Sequence, residues 1–130
     1  MQDRPTAPEL LEAVRRFLDD EVVPVLDARL RFHARVAANV LAVVGRELAS
    51  EEAVLAAEWR RLAIVLGHDP AGPPAGREPL RAAVHELTAE LAERIRRGEA
   101  DAGPFADAVR AHVRETVREK LRVANPRYLG

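Results

Sequence analysis

The chain has 130 residues, with 20 basic residues against 21 acidic ones, a net charge of -1 and no cysteine. That length suits one domain, 1–130, burying roughly two-thirds of its unfolded surface around a single core. The missing thiol excludes disulfide frameworks, thiolate metal sites and cysteine nucleophiles, and the charge balance gives no global pull towards nucleic acid or anionic lipid.

Lys120 is the only lysine, so the basic residues are almost all arginine. Arginine's planar fork suits phosphate and carboxylate recognition, but Arg rises here together with Ala, Val, Gly and Pro, which points to GC-rich codon usage. The start MQDRPTAPEL has no apolar core and no cleavage pattern, and no apolar run approaches the roughly 20 residues a membrane span needs. The expectation is a soluble, cytoplasmic protein with no membrane partner.

In chain order, Thr6-Ala7-Pro8-Glu9 reads as a capped helix start, and the first helix presents Leu10, Val14 and Phe17. It is expected over 7–20, because Pro24 disfavours helix in the residue before it. Val22, Val23, Val25 and Leu26 then form an apolar connector laid across the core.

Asp27 suits the N-cap of a long central helix over 27–49. Leu26, Leu30, Ala37, Val40, Leu41, Val44 and Leu48 fall in one arc of it, widened by Phe32, Val36 and Val43. So broad an apolar sector predicts a core helix with several neighbours. Ser50 reads as the cap of a third helix over 51–66, with the stripe Leu55, Trp59, Leu62 and Leu66 and a stop at Gly67. The short junction makes helices two and three either an antiparallel hairpin or one kinked rod, and the hairpin is preferred.

The loop 67–78 is rich in Pro and Gly. Pro79 opens a fourth helix, 79–97, with the stripe Leu80, Val84, Leu87, Leu91 and Ile95. Pro104 opens a fifth, 104–124, carrying Phe105, Val109, Val113, Val117, Leu121 and Val123. The predicted fold class is all-α, a five-helix bundle with a long central helix.

Few residues offer chemistry. His33 lies in the second helix's apolar arc, and His112 lies with Thr116 in the fifth helix's arc. Together they form either satisfied core positions or a buried polar layer able to hold a metal, a ligand or a proton. His68 and His85 read as solvated. Glu-x-x-His and His-Glu-x-x-His are absent, Ser50 is the only serine, and no Gly-rich phosphate loop occurs. No catalytic arrangement can be constructed, and no cofactor or metal is expected.

Glu47 falls inside the second helix's apolar sector, while Asn39 and Arg46, with Arg35 nearby, share the opposite flank. These residues read as an inter-helix polar network or as part of a ligand or partner surface. Beyond the last helix, Arg127, Tyr128 and Leu129 form a tail, and Tyr128 is expected to dock back on the core.

The segments RFHARVAANVLAVVGREL (Arg31 to Leu48) and LRVANPRYL (Leu121 to Leu129) resemble a family of small bacterial proteins of unknown function. Its members accompany, or are fused to, aminoglycoside-phosphotransferase-like kinases, often alongside acyl-CoA dehydrogenases. The likeness runs from Pro8-Glu9-Leu10 to the NPRYL tail. It marks His33, Asn39, Arg46 and Glu47 in the first motif and Asn125, Pro126, Arg127 and Tyr128 in the second. What it implies is association with such a kinase rather than a catalytic role.

Three readings follow. The first is a non-enzymatic accessory or interaction domain associated with a phosphotransferase-like kinase. The second is a small-molecule or metal-binding bundle using a buried layer of His33, His112 and Thr116. The third is a homodimeric helical protein with no other partner.

Overall fold

A computed structural model describes residues 3–130. The first two residues of the MQDRPTAPEL start, read above for a leader pattern, lie outside the described residues. Among the described residues four α-helices carry the fold: α1 (Ala7–Phe17), α2 (Ala28–Leu66), α3 (Arg77–Arg96) and α4 (Gly103–Ala124); short helical turns join α1 to α2, and loops join the others. No strand occurs among the described residues. The chain is all-α as expected, with four helices where five were predicted. None of them is long and apolar enough to cross a membrane.

The fifth helix disappears because the second and third are one. α2 runs unbroken for 39 residues through the expected junction. No Gly or Pro interrupts residues 46–66, and the Ser50 hydroxyl donates back to the Arg46 carbonyl at 2.9 Å. That bond is the mid-helix habit of serine rather than the capping one, in which the hydroxyl accepts from a first-turn amide. The packing nevertheless divides at this point. Of the described residues, one compact unit comprises 3–50, Val123–Tyr128 and Gly130, and the other Glu51–Arg122 and Leu129.

In the first unit α1 starts as expected. The Thr6 hydroxyl accepts from the Glu9 N–H, and the Glu9 carboxylate accepts from the Thr6 N–H at 2.9 Å, closing a capping box. Helical winding passes Asp20, however, through a wide turn at Leu18–Val22 and a tight one at Val23–Val25. Pro24 has no N–H for the α ladder, and the Val23 N–H reaches back to the Leu18 carbonyl instead. Of the apolar connector only Val23 is buried, whereas Val25 is exposed. Asp27 caps α2 through the Leu30 N–H at 3.0 Å.

The burial of α2 in this unit differs from the expected core helix. Ala38 is buried, while Leu30, Phe32, Val36, Val40 and Val44 are exposed. The side of the helix that lines the unit's interior is the one bearing Ala38, Ala42 and Gly45 together with polar residues.

The second unit holds a conventional core. Leu62, Leu66, Val84, Leu91 and Val109 form one buried cluster, with Leu55, Trp59, Leu87 and Phe105 packed against it. The expected stripes of residues 51–66 and 79–97 meet here, although Ile95 stays exposed. Gly67 takes φ +79° to end α2, with the His68 N–H on the Ala63 carbonyl at 2.8 Å. α3 begins at Arg77, placing Pro79 inside its first turn, and Glu51 pairs with both Arg77 and Arg81. α4 buries Val109, His112 and Glu119, with Thr116 half-buried, while Val113 and Val117 of the expected stripe are exposed.

Candidate functional site

The first unit contains a cleft of about 790 Å³, within the usual range for ligand pockets. α1 lines it with Pro8, Glu12 and Arg15, and the wide turn after it with Asp19, residues that recur along one face opposite Leu10, Val14 and Phe17. α2 contributes Arg35, Asn39 and Arg46, with Ala38, Ala42, Gly45 and Ala49 keeping the space open. The tail closes the lining with Asn125, Pro126 and Arg127.

The charges divide into a neutralised and an available set. Arg15 bridges Glu12 at 2.6 and 2.8 Å and Asp19 at 2.7 Å. Arg16 adds a bond to Glu12 at 3.1 Å. The Arg15 guanidinium, followed by that of Arg16, pulls the Glu12 carboxyl down to about 2. Glu12 is thus ionised at any physiological pH and moves no proton. Arg46 spends its Nε on the Val123 carbonyl at 2.8 Å, tying α2 to the end of α4. Arg35, Arg127 and the terminal nitrogens of Arg46 have no carboxylate partner among the described residues. Four arginines therefore face two carboxylates, leaving two positive charges on a chain whose net charge is -1. Guanidinium forks and two side-chain amides are groups that grip phosphate or carboxylate oxygens.

Asn39, Arg46 and Arg127, picked out in the sequence, are brought together here along with Asn125 and Pro126. Glu47 and His33 are exposed and line no part of the cleft; the His33 ring meets that of Phe32 edge to face at 5.7 Å. Tyr128 does not dock: it is 75% exposed, in the short turn Pro126–Leu129. That turn directs the tail's polar residues, rather than its aromatic ring, to the cleft.

His112 and Thr116 belong to the second unit and His33, exposed, to the first, so the three do not form the expected layer; a polar cluster around buried His112 and half-buried Thr116 stands without His33. Its other members are residues the sequence reading missed. Arg61 donates to both oxygens of buried Glu119, at 2.8 and 2.7 Å. Burial, and then the Glu119 charge, raises the nearby Glu58 carboxyl above its ordinary range. Burial lowers His112, with Arg61 acting in the same direction, so the imidazole is neutral. His112 Nδ1 and Thr116 Oγ1 are buried without a hydrogen-bond partner among the described residues. The signal for Glu119 was present in the spacing Val109, His112, Thr116, Glu119, Val123, a heptad seam. Its three polar members disguised it. No group of three or more His, Asp or Glu side chains able to hold a metal occurs among the described residues. Outside this cluster, His68 pairs with Glu90 at 2.9 Å and His85 is exposed.

Fold and cleft together define a small all-α protein with an arginine-lined cavity built on two sequence motifs. The chain belongs to the family described as a domain of unknown function, DUF6285, which it matches over residues 24–128. The matched span takes in α2, α3, α4 and the cleft-lining tail and leaves out α1. No curated protein and no solved structure matches the chain.

Proposed function

We propose that this protein is a non-enzymatic, cytoplasmic accessory domain whose first-unit cleft grips an anionic group on a partner. The single observation behind this reading is the convergence of Asn39, Arg46, Asn125 and Arg127, from two distant motifs, on one cleft with unpaired guanidinium charge. Its lining offers groups that bind and orient, while its most perturbed carboxylate, Glu12, is locked in the ionised form. The resemblance supplies the partner: an aminoglycoside-phosphotransferase-like kinase.

The test is co-purification of the chain with a phosphotransferase-like kinase from the same genome. The wild type is expected to form a complex at micromolar concentration, and the double variant Arg35→Gln/Arg127→Gln to lose it. No complex at that concentration, or one indifferent to the double variant, would overturn the reading.

A second reading, a small-molecule site at the His112–Thr116 face, is favoured by the two polar atoms buried there without partners.

A further inference from the structure

The cleft leaves His33 and Glu47 unexplained. Both sit on the outer face of α2 in the first unit, the face that carries Phe32, Val36, Val40 and Val44. These four side chains are between 37% and 64% exposed. They follow one another at four-residue steps and so form a single ridge along the helix. α1 repeats the situation with Leu10, Val14 and Phe17, all about half-exposed. On α2 itself, the ridge and Leu30 leave on the order of 400 Å² of apolar surface uncovered, enough for the apolar centre of an interface of ~800 Å² per partner. Fully buried apolar residues in this unit are few, Val23 and Ala38 among the described residues.

The ridge has a symmetry that identifies its occupant. About Val40 the outer face of α2 is palindromic: Val36 is matched by Val44, Phe32 by Leu48, and His33 by Glu47. A two-fold axis requires such an arrangement, because residue i of one copy must meet residue j of the other while j meets i. With the axis at Val40, two antiparallel copies of α2 would set valine on valine along the ridge. Each His33 imidazole would lie beside the partner's Glu47 carboxylate, at both ends of the apolar strip. An imidazole set against its own image would be a poor match, and so would a carboxylate. In this register neither occurs.

We infer that the outer face of α2 in the first unit is a homodimer interface, two copies packing antiparallel about a two-fold axis at Val40. The inference is independent of what the cleft binds.

The experiment is sedimentation equilibrium of the full chain, joined to cysteine cross-linking, which the absence of native cysteine makes unambiguous. The wild type is expected at twice its 14.3 kDa chain mass. Val40→Glu puts two carboxylates on the axis and is expected to weaken the dimer by at least about 30-fold, the effect of losing an interface hot spot. Val40→Cys is expected to form a disulfide-linked dimer under mild oxidation, whereas Val113→Cys, on the other unit, is not. Circular dichroism and thermal unfolding of Val40→Glu separate loss of pairing from loss of fold. A wild type monomeric at tens of micromolar would overturn the inference, as would a dimer that survives a folded Val40→Glu. So would a dimer in which Val113→Cys cross-links and Val40→Cys does not.

Discussion

At the scale of single residues, two kinds of charged pair serve different ends. Glu12 and Arg15 are near neighbours on α1, so their bond fixes one wall of the cleft without joining distant segments. Arg61 and Glu119 are far apart in the chain, and their bidentate bond pins α2 to α4 in the second unit. Glu119 is buried, so the arrangement persists only while each charge keeps its partner. His112 beside them gives this unit a pH dependence of defined sign. Its folded-state value is lowered by burial, so between that value and the ordinary 6.5 the unfolded chain binds more protons than the folded one. The stabilisation is complete above 6.5 and is lost as pH falls below it. Glu58, raised by burial, acts oppositely: its contribution is complete below 4.5 and is lost as pH rises through its folded value. Urea unfolding of wild type and His112→Asn at pH 7.5 and 5.5 separates the two. The wild type is expected to lose more stability on acidification than the variant, and equal losses would remove His112 from the account.

At the scale of elements, the junction at Ser50 sets one reading of the sequence against another. Ser-Glu-Glu has the composition of a helix start, but a cap forms only where the backbone breaks, and residues 46–66 contain no breaker. Ser50→Ala distinguishes the two. In a continuous helix the variant is expected to match the wild type within a few tenths of a kcal/mol, or exceed it, since alanine is the better interior residue. A loss of about 1 kcal/mol in urea unfolding would mean that the hydroxyl caps a helix. The other helices were legible, because α3 and the second part of α2 show plain apolar periodicity and their ends are marked by Gly and Pro. α4 was legible as a helix, but its buried side was not. The running valines Val109, Val113 and Val117 suggested one stripe, whereas the structure buries Val109, His112 and Glu119. Periodicity counts apolar residues, so a seam satisfied by polar partners from another helix leaves little trace in it.

At the scale of the whole molecule, the chain comprises one unit built around an apolar core and another built around a polar cleft. Part of that cleft could be read from the sequence. Asn39 and Arg46 stood out as polar residues grouped on one flank of an apolar helix, and the second motif drew attention to Arg127. The contribution of α1 and the turn after it was hidden, since Glu12, Arg15 and Asp19 have the spacing of ordinary surface ion pairs. Only the fold reveals that they face Arg35 and Arg46 across a common space. Anion recognition by that cleft is the central claim, and it can be tested without the partner. Titrating inorganic pyrophosphate, and separately citrate, into ¹⁵N-labelled protein reports on the side-chain amides of Asn39 and Asn125. Saturable shifts of both amides at millimolar anion or below are expected, abolished in Arg35→Gln/Arg127→Gln. Amides that stay unmoved up to tens of millimolar, or shifts confined to the second unit, would contradict it.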